Sequence, residues 1–349
     1  MSGITVIGTT TWGKTLALVL ARKGLKINLW ARTAHEAEKL IHDDDNFKNS
    51  ASGLRALIAI TSSLPDATAG SEAIILAVPS QSMRDNIRKV SPYLESSMLI
   101  VSAAKGLELT SDKRMSQVIA EEISPTLKTN ICVLSGPNLS REVTQGLPAA
   151  TVIAAESELI SERARRLLTC PGFCVYTNTD IIGVELGGAF KNIIALGAGM
   201  IDGLGLGDNT RAAFITRGLT EIAALGVALG ANPLTFSGLA GLGDLIATCT
   251  SPLSRNHYVG VEVAKGRSLE EITGSMTAIA EGINTTIAAN NLARKLGLGM
   301  PVIEKIYQVL YEGATPHQMV EEVVSIEASH ELYGYNWDLF SFSNHRNCK

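Results

Sequence analysis

The chain has 349 residues, 46 % of them hydrophobic, with 32 glycines and five cysteines, and its 34 acidic against 30 basic side chains leave a formal net charge of −4. That length exceeds what one hydrophobic core usually serves, so two domains are expected. The apolar fraction excludes a disordered chain, the glycines lack the period of collagen, and the acidic balance argues against a large nucleic-acid surface while leaving room for a local anion pocket.

The N-terminus reads Met1-Ser-Gly-Ile-Thr-Val-Ile-Gly8, without a basic leader or cleavage-like site, so no signal peptide is expected. Ile4 to Ile7 predicts a strand that meets Gly8, and Trp12 to Lys23 predicts a helix closed by Gly24. Lys26 to Trp30 supplies a second strand and Ala34 to Ile41 a second helix. Ala73 to Val78 is apolar at every position, as a strand covered on both faces would be, and Pro79 stops it; Met98 to Ser102 and Ile131 to Leu134 repeat the signal. Such strands alternating with helices predict a parallel sheet. A ligand is then expected beyond the carboxyl ends of its strands, where Gly8, Arg32, Pro79, Lys105 and Gly136 fall.

From about Asp180 the period changes. Asp180 to Ile201, Asn209 to Leu229, Arg255 to Ala264, Glu281 to Leu296 and Pro301 to Leu310 all read as helices, and nothing comparable to a sheet remains. Gly230 is a plausible stop, Ser268 and Glu271 have capping-box spacing, and Pro301 suits a first helical position. The expected division is therefore a sheet domain over 1–179 and an all-helical domain over 180–349. The apolar run Ile193 to Ile201 is too short to cross a bilayer, so stable membrane insertion is not expected. The five cysteines, Cys132, Cys170, Cys174, Cys249 and Cys348, are odd in number and scattered, which suits a reducing, cytoplasmic compartment. Cys170 and Cys174 lack the second pair or nearby histidine that would complete a zinc pattern, and no metal is expected.

The first turn, Gly8-Thr-Thr10-Thr-Trp-Gly13, has the shape of a dinucleotide fingerprint with Thr10 in the place of its second glycine. A branched side chain there crowds the approach of phosphate oxygens and penalises a left-handed backbone angle. Thr11 and the amides opening the helix still offer a phosphate site. An ordinary strand-turn-helix is the bland alternative. The second strand ends Leu29-Trp-Ala-Arg32, with no Asp or Glu for the ribose hydroxyls of NADH. Arg32 instead offers a cation for a 2′-phosphate, which tilts the expectation toward NADPH; equally, it is a solvated arginine beginning a helix.

Lys191 stands in an otherwise almost uncharged helix, one turn from Gly187 and Gly188 and one turn before Ile194 and Ala195. Glycines at 183, 187 and 188 each cost roughly 0.5–1 kcal/mol against alanine in a helix interior, which is tolerable where something must approach closely. A lysine in such an apolar setting can have its pKa lowered enough to exchange a proton with a substrate oxygen. The alternative is close helix packing with Lys191 snorkelling to water. Downstream, a glycine-rich stretch delivers Asp244, and Ser254, Arg255 and Asn256 open the next helix. Arginine beside helix-terminal amides suits a phosphate, although Ser254 alone reads as a cap and Asp244 as a partner for a basic neighbour. Together with Lys105 and Lys191 they describe an anionic small-molecule site.

These strings make the chain resemble NAD(P)-dependent glycerol-3-phosphate dehydrogenases of the bacterial type over roughly residues 3 to 312. The most specific are Ser102-Ala-Ala-Lys105-Gly-Leu-Glu, Ser135-Gly136-Pro137 followed by Glu142-Val143, and Gly183-Val-Glu-Leu-Gly-Gly-Ala-Phe-Lys191-Asn192. Asp202 through Asn209, Thr216-Arg-Gly218 and Gly238 through Asn256 complete the set. The resemblance implies an N-terminal Rossmann-like parallel-sheet domain followed by an all-helical C-terminal domain. It also implies reduction of dihydroxyacetone phosphate with NADPH or NADH, with Lys191 as proton donor and acceptor. Substrate contacts are expected from Lys105, Gly136, Asn138, Asp244, Ser254, Arg255 and Asn256. Cofactor contacts are expected from Gly8, Thr10, Thr11, Trp12, Gly13, Arg32, Lys105, Ser140, Arg255 and Glu281. The expected partners are a small phosphorylated substrate and a second copy in a homodimer.

The chain departs from the family pattern at Thr10, at Asn138 where a serine or other small residue is common, at Ser140 where alanine is usual, and from Ser325 to Lys349, an aromatic segment with a polar end. These departures keep two alternatives open: a dehydrogenase of a specialised pathway acting on another phosphorylated keto compound, and a ligand-binding relative without turnover.

Overall fold

In the computed structural model, which describes residues 3–43, 54, 56–276 and 279–324, the first apolar run forms β1 (Gly3–Ile7) and the threonine turn launches α1 (Thr11–Arg22). There follow β2 (Lys26–Trp30), α2 (Ala34–Asp43), β3 (Ile58–Thr61), α3 (Leu64–Thr68), β4 (Ser71–Leu76) and α4 (Met83–Val90). The alternation continues through β5 (Leu99–Ser102), α5 (Met115–Glu122), β6 (Ile131–Ser135) and α6 (Ser140–Thr144). β7 (Ala149–Ala154), α7 (Glu158–Leu168) and β8 (Phe173–Asn178) complete it.

The eight strands lie in the order β3-β2-β1-β4-β5-β6-β7-β8. The order reverses between β1 and β4, where Ile7 pairs with Leu76 on one side and Trp30 on the other. In open sheets of this kind ligands bind beyond the carboxyl ends of the strands, at such a reversal. Every neighbouring pair is parallel except β6 and β7, so the last two strands run against the first six. The sequence reading named five of these strands and missed β3, β7 and β8. β3 is an edge strand with mostly half-exposed residues, β8 alternates buried Phe173 and Val175 with exposed Cys174 and Tyr176, and β7 opens on two alanines. None carries the fully apolar run of a covered strand.

A 23-residue helix, α8 (Ile181–Gly203), starts the second half, with Asp180 accepting from the Gly183 amide at 2.8 Å as its cap. Around it pack α9 (Gly207–Ala228), a π-helical turn (Leu239–Gly243), α10 (Asp244–Thr250) and α11 (Arg255–Ala264), on which α12 (Leu269–Ser275) sits, then α13 (Glu281–Leu296), α14 (Pro301–Tyr311) and α15 (Pro316–Val324). Ser268 and Glu271 form the expected reciprocal cap of α12. Among the described residues α8 is the one helix long and apolar enough to cross a membrane, and it is instead the centre of the helical core, with 94 % of its apolar 18-residue window buried. Its carboxylate Glu185 accepts from the amide of Ser116 at 2.7 Å, the Ser116 hydroxyl at 2.6 Å and Arg114 at 2.8 Å, capping α5 of the sheet half. The aromatic segment Ser325 to Lys349 lies outside the described residues.

Candidate active site

The turn after β1 depends on two glycines. Gly8 has φ +109°, and a Cβ on Gly13 would stand 2.2 Å from the Gly8 carbonyl oxygen. Thr10 does not adopt the left-handed angle the fingerprint suggests: its φ of −60° and ψ of 162° are extended, and it caps α1. Its hydroxyl accepts from the Gly13 amide at 3.1 Å and donates to the Ala77 carbonyl at 2.7 Å, tying the turn to the end of β4. The expected backbone penalty is therefore not incurred. Thr11 is exposed at the start of α1, whose first turn carries no acidic residue, so the positive end of that helix is open to an anion. Trp12 packs against Phe173 with ring centroids 6.4 Å apart. This turn, at the reversal of strand order, fits the pyrophosphate of a dinucleotide.

At the end of β2, the Arg32 side chain is 73 % exposed. The expectation of no acidic group here needs correction, because Glu36 in the first turn of α2 folds back. Its Oε2 accepts from the Arg32 amide at 3.0 Å and its Oε1 accepts from the Thr9 hydroxyl. The Thr33-to-Glu36 capping spacing was the signal in the sequence: Thr33 Oγ1 accepts from the Glu36 amide at 3.1 Å.

Beyond β5 and β6 the chain gathers its two lysines. Lys191 does not snorkel; it is 6 % exposed, and its ammonium donates to Asp244 Oδ1 and, at 2.6 Å, to the Thr248 hydroxyl. Thr248 spends its own hydrogen on the Asp244 carbonyl at 2.7 Å, which fixes it as an acceptor toward Lys191. Lys105 donates to Asp244 Oδ2 at 2.6 Å and to the Gly136 carbonyl at 2.8 Å. Burial pushes the Lys191 pKa down to about 8, with Asp244 opposing and Lys105 reinforcing the shift. Two ammonium groups around one carboxylate leave one net positive charge, attractive to an anion. The close approach that the glycines permit comes from the protein itself: a Cβ on Gly187 would meet the Ala240 carbonyl at 2.7 Å, and one on Gly188 would meet Ser135 Oγ at 2.2 Å. Thr248 was not singled out in the sequence, although it lies one helical turn after Asp244.

The remaining candidates are each held by their own contacts. Ser254 caps α11 by accepting from the His257 amide at 3.3 Å. Asn256 donates to Asn192 Oδ1 and accepts from the Gly282 amide, each at 2.9 Å, fixing the starts of α11 and α13 against α8. Arg255 donates to the Ile279 carbonyl at 2.9 Å. Glu281 crosses to the loop after β4, accepting from the Ser80 amide at 3.0 Å and from the Ser80 hydroxyl; burial raises its pKa. Asn138 donates to Thr151 Oγ1 at 2.8 Å, and Thr151 donates to the Ser135 carbonyl at 3.0 Å. Asn138 Oδ1 and Ser135 Oγ are buried without a partner among the described residues. Ser140 opens α6, which lies beside α1 through a 3.0 Å hydrogen bond between Thr15 and Thr144. The contacts thus gather Lys105, Gly136 and Lys191 around Asp244, leave Thr10, Thr11 and Gly13 at the first turn, and tie Glu281 of the helical half to the loop after β4.

Two family models match the chain: the N-terminal region of NAD-dependent glycerol-3-phosphate dehydrogenase over residues 3–160 and its C-terminal region over 180–321. A glycerol-3-phosphate dehydrogenase [NAD(P)+] of Dehalococcoides mccartyi is 56 % identical over 99 % of this chain and 97 % of the relative. The enzyme of that name from Moorella thermoacetica is 47 % identical over 96 % of this chain and 99 % of its own length. The crystal structure of glycerol-3-phosphate dehydrogenase from Coxiella burnetii superposes with a TM-score of 0.85 at 34 % identity, covering 93 % of this chain and 99 % of that one.

Proposed function

The chain belongs to the NAD-dependent glycerol-3-phosphate dehydrogenase family, and from that premise we infer that its Lys191–Asp244 pair carries the proton chemistry of a ketone reduction. The protein is an NAD(P)-dependent oxidoreductase that reduces dihydroxyacetone phosphate to glycerol 3-phosphate. The observation that supports this assignment of roles is a buried lysine sharing one carboxylate with a second lysine.

An ammonium has three protons. Lys191 commits two, to Asp244 and Thr248, and the third is available to a carbonyl oxygen placed over the centre. When bound, a reduced nicotinamide would supply the hydride that the carbonyl carbon accepts. Lys191 gives that oxygen its proton, so the developing alkoxide becomes a hydroxyl and the lysine is left neutral. Lys105 likewise commits two protons, to Asp244 and Gly136, and keeps one for the substrate. The unpaired Asn138 Oδ1 is an acceptor for a substrate hydroxyl. Arg255, with Ser254, Asn256 and the opening amides of α11, holds the phosphate, so that binding far from the carbonyl orients it. Gly8, Thr10, Thr11, Trp12, Gly13 and Ser140 form the nucleotide side, with Arg32 at its edge and Glu281 bridging from the helical half. In this reading the half before Asp180 holds the nucleotide, and the helices from α8 to α11 bring the proton donor and phosphate site to it. The free thiols of Cys170 and Cys174 suit a reducing cytoplasm.

The test is steady-state oxidation of NADH and NADPH by the purified protein with dihydroxyacetone phosphate and a panel of other phosphorylated ketones. Preferred turnover of dihydroxyacetone phosphate supports the reading, and turnover of a different ketone alone rejects it.

A further inference from the structure

The helix that carries Lys191 and the helix that opens on Arg255 and Asn256 touch backbone to backbone. A Cβ on Gly199 of α8 would stand 2.1 Å from the His257 carbonyl oxygen, and one on Gly260 of α11 would stand 2.0 Å from the Leu196 carbonyl oxygen. Polar contacts fix where along α8 this crossing falls. Asn256 donates to Asn192 Oδ1 at 2.9 Å, next to Lys191 in the chain. Its neighbour His257 reaches the other way, with Nε2 2.7 Å from Asp202 Oδ2. An ionised carboxylate only accepts, so this ring nitrogen carries the hydrogen. Arg211 of α9 donates to both oxygens of Asp202, at 2.8 and 2.9 Å, which holds the acceptor in place.

Asn192 and Asp202 lie ten residues apart on a helix that rises about 1.5 Å per residue, so these two anchor points are about 15 Å apart. Two consecutive residues of α11 are thus held toward opposite ends of one rigid helix. With both contacts in place the first turn of α11 can neither slide along α8 nor pivot on it; with Asn256 alone it has a single pivot. His257 is bound into that turn through its amide, which donates to Ser254 Oγ at 3.3 Å, so a shift of its ring is passed to Arg255 and Asn256. In the ketone reduction the carbonyl oxygen has to reach Lys191 while the phosphate rests at the start of α11. The crossing sets the spacing of those two points, and a misplacement of about 1 Å can cost about 10² in rate.

We propose that His257, braced by Asp202 and Arg211, is a positioning residue that sets the spacing between Lys191 and the start of α11, and so selects ketones whose carbonyl carbon adjoins the phosphate-bearing carbon. The inference rests on the dehydrogenase reading, with its phosphate site at Arg255, and adds the residues that measure substrate length.

The experiment is steady-state reduction, by the full chain, of dihydroxyacetone phosphate and of its homologue with one more methylene between carbonyl and phosphate, with inorganic phosphate as a competing inhibitor. The variants are His257→Leu, His257→Gln and Asp202→Asn, each checked for folding by circular dichroism. The parent should favour dihydroxyacetone phosphate in kcat/KM by at least about tenfold, the low end of what one methylene is worth in a fitted site. His257→Leu should move that ratio about tenfold toward the homologue while phosphate inhibits as strongly as before, because the anchor is intact and only its distance from Lys191 is loosened. Asp202→Asn should move the ratio the same way, and it carries the test should His257→Leu fail to fold. His257→Gln, whose amide still donates toward Asp202, should keep the ratio within about threefold of the parent. A ratio within about twofold of the parent in the folded leucine and asparagine variants overturns the inference alone, as does a parent that reduces both ketones alike or a phosphate inhibition that weakens in step with the ratio. A folded parent that reduces neither ketone overturns the dehydrogenase reading together with it.

Discussion

Lys105 and Lys191 converge on one carboxylate from opposite sides: Lys191 donates to Asp244 Oδ1 and Lys105 to Asp244 Oδ2. One strand-end loop and the central helix are thereby locked to the same residue, and in the proposed mechanism the proton donor takes its charge balance from a group that also positions a second lysine. The predictions begin there.

Replacing Lys191 by alanine should lower kcat for dihydroxyacetone phosphate by about 10² to 10⁴, the usual worth of a general acid. Nucleotide titration and circular dichroism should be unchanged, because Lys191 belongs to the cluster around Asp244 and not to the nucleotide turn. A kcat within about threefold of the parent rejects the acid role. Arg255→Ala should act more on KM than on kcat if, as proposed, Arg255 holds the phosphate, a contact common to ground and transition states.

With Lys191 as the proposed acid, reduction needs its protonated ammonium, whose pKa burial pushes down to about 8. Ketone reduction should therefore fall as pH rises through about 8, and alcohol oxidation should rise through the same range. Asp244 opposes the depression caused by burial, so Asp244→Asn should move this limb to lower pH as well as reduce kcat. A limb that stays in place in Asp244→Asn would show that another group titrates.

Thr10→Gly separates crowding from capping. If the side chain merely obstructed the phosphates, glycine would tighten nucleotide binding by about tenfold. The two hydrogen bonds of the Thr10 hydroxyl point the other way. We expect a loss of about 1–2 kcal/mol in denaturant unfolding, from the lost bonds and the added freedom of the unfolded chain, and no gain in affinity by titration.

Glu221, 0 % exposed, accepts from the amides of Val302 and Ile303 and caps α14 from inside the core. Burial outweighs those hydrogen bonds and the nearby Arg217, raising its pKa from 4.5 to about 8. Between those values the unfolded chain has released a proton that the folded protein keeps, so stability should fall as pH rises across that window, by at most about 1.4 kcal/mol per pH unit. The melting temperature of Glu221→Gln should depend less steeply on pH over the same interval. An identical slope would assign the dependence to other groups.

The sequence by itself determined the class of fold and most of the chemistry. Apolar runs covered on both faces fix β1, β4, β5 and β6, and the helices Arg255–Ala264 and Glu281–Leu296 begin and end where periodicity and caps place them, because these signals are local. A lysine among glycines in an uncharged helix is equally visible in the chain. What tertiary structure decided is what depends on partners distant in sequence. The edge strands β3 and β8 are held by neighbours more than by their own hydrophobicity. Lys191 could have reached water until Asp244 and Thr248 closed over it. Glu36 was not singled out in the sequence, and only the parallel pairing of β1 with β2 brings Thr9 within its reach. Spacing along a chain reports which face of an element a residue occupies; whether that face meets solvent, a charge or a ligand depends on which other element packs against it.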